Sequence, residues 1–107
     1  MAEIRPCIVM TTAGSEQEAQ TIARALVERR LAACVNIVPR VESVYRWQGK
    51  VENATEWLLI AKTTTEAFQF VRDAIKELHS YDLPECVMLE VADGSEAYLA
   101  WIGENVG

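Results

Sequence analysis

Residues 32–64 read AACVNIVPRVESVYRWQGKVENATEWLLIAKTT, and the order of elements turns on them. Cys34, Asn36 and Val38 alternate with Val35, Ile37 and Pro39, the two-residue period of a strand. Pro39 has no N–H to give to a ladder, so the strand is bent, bulged or at an edge there. It resumes with Val41, Ser43, Tyr45 and Trp47 on one face. Gln48-Gly49-Lys50 is a hairpin turn signal. The return arm runs from Val51 to Thr64, with Trp57-Leu58-Leu59-Ile60-Ala61 as its dense centre. Two long strands joined by a tight turn are expected, their distal ends projecting beyond a compact body.

The flanks complete the pattern. Before this stretch, Cys7-Ile8-Val9-Met10-Thr11-Thr12 is apolar and β-branched, a first strand. Ser15 stands three residues before Glu18, the spacing of a capping box. Ala19, Ile22, Ala23, Leu26 and Val27 follow at helical spacing. A helix from about Ser15 to Arg30 is predicted, with Arg29 and Arg30 suiting its C-terminal dipole. After it, Thr64 or Thr65 is placed to cap a second helix, whose stripe is Phe68, Val71, Ile75 and Leu78. It ends near His79. Ser80-Tyr81-Asp82-Leu83-Pro84 reads as a loop, Cys86 to Ala92 as a fourth strand, and Asp93-Gly94 as a turn. Ser95 starts a short last helix, with Tyr98, Leu99, Trp101 and Ile102 as its apolar part. The order is α+β, a ferredoxin-like βαββαβ arrangement with a long central hairpin and a short C-terminal helix. No linker, repeat or low-complexity tract divides it, so residues 1–107 read as a single domain.

Two helices would cover one face of such a sheet. The other face would meet water, and half its positions should then be polar. The first, third and fourth strands are apolar at their centres on both faces instead. The second face is therefore expected to be buried against another chain. A chain of 107 residues buries only ~60–70% of its unfolded surface, which points the same way, to a stable homo-oligomer.

Composition narrows the function. Half the residues are hydrophobic and 24% are charged, a globular balance. Ten Lys and Arg against 16 Asp and Glu give a formal charge of −6. That argues against nucleic acid, which needs clustered cations, and against anionic membrane surfaces. The longest apolar runs, Leu31 to Val35 and Trp57 to Ala61, are far short of the ~20 residues of a spanning helix. The N-terminus carries no secretory core, so the cytoplasm is the expected compartment. Cys7, Cys34 and Cys86 are odd in number and far apart. They read as small buried hydrophobes in a reducing compartment, not as a disulfide framework or zinc ribbon.

Chemistries associated with this topology leave signatures. A copper chaperone needs thiolates after the first strand, and Met10-Thr11-Thr12-Ala13-Gly14 has none. An RNA-recognition sheet needs exposed aromatics and a basic face, whereas Val9, Leu59 and Ile60 hold those positions. A phosphate loop needs several glycines and a Lys. Ala13-Gly14-Ser15 supplies one glycine and reads as a plain helix cap. Nucleophilic catalysis needs a base, and His79 is the one histidine. Its plain reading is a helix-capping imidazole. The loop from His79 to Glu85 nevertheless gathers an imidazole, a phenol and two carboxylates, a set suited to a borderline cation such as Cu(II) or Zn(II). Its other reading is a loop whose polar groups satisfy its own backbone. Lys62 lies on an otherwise apolar strand, where a buried ammonium must be paired.

Six segments stand in order between Ile8 and Trp101: Ala33-Cys34-Val35-Asn36-Ile37-Val38-Pro39, Ser43-Val44-Tyr45-Arg46-Trp47-Gln48-Gly49-Lys50, Glu56, Lys62-Thr63-Thr64, Tyr81-Asp82-Leu83-Pro84-Glu85 and Tyr98-Leu99-Ala100-Trp101. Through them the chain resembles the CutA divalent-cation-tolerance proteins. The resemblance implies a ferredoxin-like subunit in a homotrimer shaped like the PII signalling trimers. It implies a non-enzymatic link to divalent-metal tolerance and, in some members, copper binding. The copper-binding positions, a Cys and two adjacent histidines, correspond to Thr11, Leu78 and His79, so one imidazole remains. His79 and Glu85 are the metal candidates, for copper or another divalent cation. Tyr45, Trp47, Glu56, Lys62, Tyr81, Glu85 and Trp101 are candidates for a subunit-interface salt bridge or a pocket. The alternative function is a PII-like regulator or scaffold that binds a small ligand or a partner protein.

Overall fold

In the computed structural model, which describes residues 4–107, the chain runs β1 (Pro6–Ala13), α1 (Glu16–Glu28), β2 (Cys34–Trp47), β3 (Lys50–Thr64), a 3₁₀ turn (Thr65–Ala67), α2 (Phe68–Leu78), β4 (Val87–Glu90) and α3 (Glu96–Glu104). The four strands form one antiparallel sheet in the order β2-β3-β1-β4. This is the expected α+β, ferredoxin-like arrangement.

The hairpin is built as its sequence dictates. Gln48 and Gly49 form a two-residue turn with φ of 50° and 82°, the left-handed pair that matches strand twist. Trp47 faces Lys50 across it. The register slips between Val38 and Val41, where Pro39 and Arg40 together oppose Trp57. Arg40 has φ 59°. Pro39 therefore sits at a bulge and on an edge strand at once. β1 pairs with β3 from Trp57 to Thr64, while Lys50 to Glu56 pair with β2 alone. That unpaired length makes the arm, and the molecule measures 48 × 26 × 22 Å.

Alternation along β1 and β3 divides the sheet into two faces. Cys7, Val9, Leu59 and Ala61 point to the helices and are buried with Ile22 and Leu26 of α1 and Val71 and Ile75 of α2. Ile8, Met10, Leu58 and Ile60 alternate with them onto the second face and are only half-buried. Val87 and Leu89 of β4, paired with Met10 and Ile8 on that face, are exposed at 49% and 52%. The apolar second face is thus real and uncovered by the helices α1 and α2. One end of it is met by α3, because Tyr98 stands beneath Lys62, whose Nζ is 5.8 Å from the ring centroid.

Several local expectations are corrected. α1 stops at Glu28, with no basic residue in its last turn. Arg29 instead reaches Glu77 at 3.3 Å. Arg30 takes φ 59° and donates to the carbonyls of Gly107 and Glu104 at 2.7 and 2.9 Å. It caps α3, not its own helix. Val27 turns outward, 42% exposed. Neither Thr64 nor Thr65 caps α2 with its side chain, because a 3₁₀ turn intervenes and Ala67 stands at the N-cap. β4 is shorter than Cys86–Ala92. In α3 only Ile102 is buried; Tyr98 and Trp101 stay exposed. All three cysteines are free thiols. Burial, then the charges of Glu66 and Glu90, pushes the Cys7 thiol up to about 11, so it is inert as a nucleophile.

Candidate functional site

The residues after α2 fold back against the base of the hairpin arm and leave a groove of about 840 Å³ between loop and arm. Parity places Glu52 and Glu56 on the same side of β3 as Ile60 and Lys62, so the groove lies on the second face of the sheet. Tyr45 faces Glu52 across the ladder. Trp47 stands near the tip, 42% exposed, and Tyr45 is 41% exposed. The other wall is Ser80 to Glu85.

That wall is held by a chain of polar contacts. Ser15 accepts from the Glu18 N–H at 3.1 Å, half of the expected capping box. The Glu18 carboxylate does not return to its own helix. It accepts from both the backbone N–H and the hydroxyl of Ser80, and its Oε1 lies 3.5 Å from His79 Nδ1. The His79 ring is fully enclosed. Its Nε2 is 2.6 Å from the Thr12 carbonyl. A carbonyl only accepts, so these partners assign the proton to Nε2. Nδ1 then accepts from the Tyr81 N–H at 3.1 Å. Both ring nitrogens are engaged.

Tyr81 carries the contact across the groove. Its ring lies against the His79 ring, centroids 4.5 Å apart. Its hydroxyl donates to Glu56 Oε2 at 2.9 Å. A Cβ at Gly14 would come within 2.8 Å of that hydroxyl, so the glycine after β1 makes room for the phenol. Burial first, then the Glu56 hydrogen bond and charge, pushes Tyr81 up to about 12. Glu85 on the rim has its carboxyl raised from 4.5, by desolvation and then by repulsion from Glu56.

The structure divides the residues singled out from the sequence. Tyr45, Trp47, Glu56, Tyr81 and Glu85 line one groove. Lys62 and Trp101 do not reach it within the chain. They gather around Tyr98, which stacks on Trp101 at 5.5 Å. His79 lies behind the groove wall as its support. Glu18, Thr12 and Gly14 escaped sequence reading. The Ser15-Glu18 spacing marked Glu18, but as a helix cap, and only the fold brings it to Ser80. Thr11 is 2% exposed, and its Oγ1 is the one buried side-chain polar atom without a partner among the described residues. Among those residues no group of three or more His, Cys, Asp or Glu is arranged to hold a metal ion. No helix among them is long and apolar enough to cross a membrane.

Residues 7–105 match the family model of the CutA1 divalent ion tolerance protein. The divalent-cation tolerance protein CutA of Thermus thermophilus is 54% identical over 100 residues, covering 94% of this chain and 97% of that protein. A solved structure of that organism's divalent cation tolerance protein superposes with a TM-score of 0.94, at 53% identity, over 95% of this chain and 99% of the other. The structure of the periplasmic divalent cation tolerance protein CutA from Archaeoglobus fulgidus gives 0.92 at 43% identity, over 95% and 99%. With fold, hairpin and loop agreeing along nearly its whole length, this chain belongs to the CutA1 divalent ion tolerance protein family.

Proposed function

We propose that this chain, working as one domain over residues 1–107, forms a homotrimer in the cytoplasm. It serves divalent-metal tolerance without catalysing a reaction, and it meets copper weakly at His79, behind the groove wall. Family membership supports the link to divalent cations. The apolar second face, with Val87 and Leu89 exposed, supports assembly.

One observation carries the metal contact: His79 Nδ1 and Glu18 Oε1 lie 3.5 Å apart, an imidazole and a carboxylate of the kind a borderline cation takes. Glu85 stands on the rim as a further carboxylate. The donor set is incomplete, since Nδ1 already accepts from the Tyr81 N–H. A cation there must displace that donor, which makes the affinity low. Calorimetric titration with Cu(II) is the test. Wild type should give a weak saturable isotherm, and His79→Ala should lose it. Identical isotherms would remove His79 from the site, and a Glu85→Gln isotherm equal to wild type would remove Glu85.

The size and lining of the groove favour a second reading, a PII-like signalling or scaffold trimer that binds a small ligand. At about 840 Å³ it falls within the ~300–1,000 Å³ range of small-molecule pockets.

A further inference from the structure

Along β3 the second face of the sheet changes character from one end to the other. Glu52 and Glu56 stand at the arm, Leu58 and Ile60 in the middle and Lys62 at the far end. At the arm the groove adds Asp82 and Glu85, and no Lys, Arg or His lines it. None of these four carboxylates pairs with a cation among the described residues. At the other end Lys62 has Ile8 and Cys34 as its cross-strand neighbours, and no carboxylate pairs with it among those residues. Its Nζ is held 5.8 Å from the Tyr98 ring centroid, and Tyr98 in turn stacks on Trp101. The rings hold the ammonium at a place where its own chain offers it no counter-charge.

Water keeps both ends stable while the face is open. Covering the apolar middle with another subunit dries the ends as well, and a buried ammonium without a counter-charge is far more costly than a paired one. The two ends cannot meet within one chain. Glu56 and Lys62 lie six residues apart on one strand, roughly 20 Å of extended backbone. A second copy can join them. Its Lys62 end lies over the arm of the first while the apolar stretches cover each other, and the opposite charges fix how the copies align.

We infer that Lys62 of one subunit seats in the acidic groove of the next, its ammonium beside Glu85 and Glu56. Glu85 on the rim meets the ammonium directly. Glu56, held by the Tyr81 hydroxyl, adds its charge from behind. The inference rests on the homotrimer reading and gives that contact a direction. The acid end of each subunit receives the cationic end of its neighbour, and three identical pairs close the ring. The acid end of the groove is then completed by the assembly itself rather than by a free ligand.

The test treats the full chain with a water-soluble carbodiimide, which joins an ammonium to a carboxylate only where the two touch. Wild type should give covalent dimers and trimers, and peptide mapping should find Lys62 joined to Glu85 or Glu56. This coupling uses the unaltered chain, so it stands even where a variant misfolds. Lys62→Arg keeps the charge but cannot be coupled. It should keep the wild-type mass in sedimentation and lose that link. Lys62→Glu, checked for folding by circular dichroism, should dissociate at a concentration about tenfold or more above wild type. Adding Glu85→Lys to it should restore most of the loss. A wild type that sediments as a monomer removes the homotrimer reading and this contact with it. Three outcomes overturn the pairing alone: an assembled wild type whose Lys62 couples to another carboxylate or to none, a Lys62→Glu protein as tightly assembled as wild type, or a double variant no better than Lys62→Glu.

Discussion

Tyr81 joins the loop after α2 to the hairpin arm, two segments 25 residues apart in the chain. Its N–H completes His79, its ring packs on that imidazole, and its hydroxyl closes on Glu56 of the arm. Removing the hydroxyl leaves a mostly buried carboxylate oxygen without its donor, so Tyr81→Phe should cost roughly 1–2 kcal/mol near neutral pH. The titration of the phenol gives a sharper check. Folding raises it from 10.0 to about 12. A group raised in the folded state contributes its full stability below its unfolded value, and loses it as pH climbs through the folded one. Wild type should therefore lose stability between about pH 10 and 12 more steeply than Tyr81→Phe, read by urea unfolding across that range. Parallel profiles for the two proteins would show that the phenol is not the titrating group. Tyr81 itself was legible as a candidate from a polar loop. Glu56 was named with it through the family resemblance, but the hydrogen bond between them was not, because Glu56 lies 25 residues earlier and the room made by Gly14 earlier still. Glu18 was misassigned for the same reason: a capping-box spacing reports a local preference, and the Ser80 donors that outcompete it arrive only through the fold.

Among the elements, those written in local periods were legible and those closed by distant groups were not. The two-residue alternation, the Gln48-Gly49 turn and the Pro39 break all act within a few residues, and each appears where the sequence puts it. The end of α1 does not. Leu31 N–H donates to the Leu26 carbonyl at 2.9 Å and Arg30 N–H to Val27 at 3.0 Å, the crossed bonds of a Schellman end. Glycine is the usual left-handed residue there, but this chain uses Arg30 at φ 59°. The compensation is distant. Its guanidinium satisfies the carbonyls of Glu104 and Gly107, and its own carbonyl accepts from the Gly107 N–H at 2.9 Å. Two substitutions separate strain from bonding. Arg30→Ala keeps the strained φ and loses the guanidinium bonds, at a cost of about 1–2 kcal/mol. Arg30→Gly loses the same bonds but relieves the backbone, so it should be more stable than Arg30→Ala by ~1 kcal/mol. Urea midpoints that coincide for the two variants would show that the left-handed backbone carries no strain, and an Ala variant equal to wild type would show that the capping bonds contribute nothing.

At the scale of the molecule, the sheet presents two apolar faces and the chain carries helices enough for one. α1 and α2 bury Cys7, Val9, Leu59 and Ala61 completely or nearly so. α3 crosses to the other side but reaches only the Lys62 end, where Tyr98 meets it. That crossing was not legible in the sequence, since the apolar residues of α3 do not say which side they cover, and its rings stay half in water. The remainder of the second face keeps Met10, Leu58 and Ile60 half-buried beside the exposed Val87 and Leu89. Each such side chain, fully covered, contributes ~1.5–3 kcal/mol, and a subunit docked along β4 would cover several together. Lys62, which has no carboxylate within reach among the described residues, and the acidic groove on the same face add opposite charges to that surface. That face calls for a partner subunit, and the trimer proposed above sets the number to test: wild type should sediment at low micromolar concentration as an assembly of three 12.0 kDa protomers. Leu89 is 52% exposed, so Leu89→Lys should leave the subunit folded by circular dichroism while placing a charge in the buried contact. The variant should shift toward the mass of one protomer. A wild type that runs as a 12.0 kDa monomer would sink the assembly outright, and a Leu89→Lys protein that keeps the wild-type mass would move the contact away from β4.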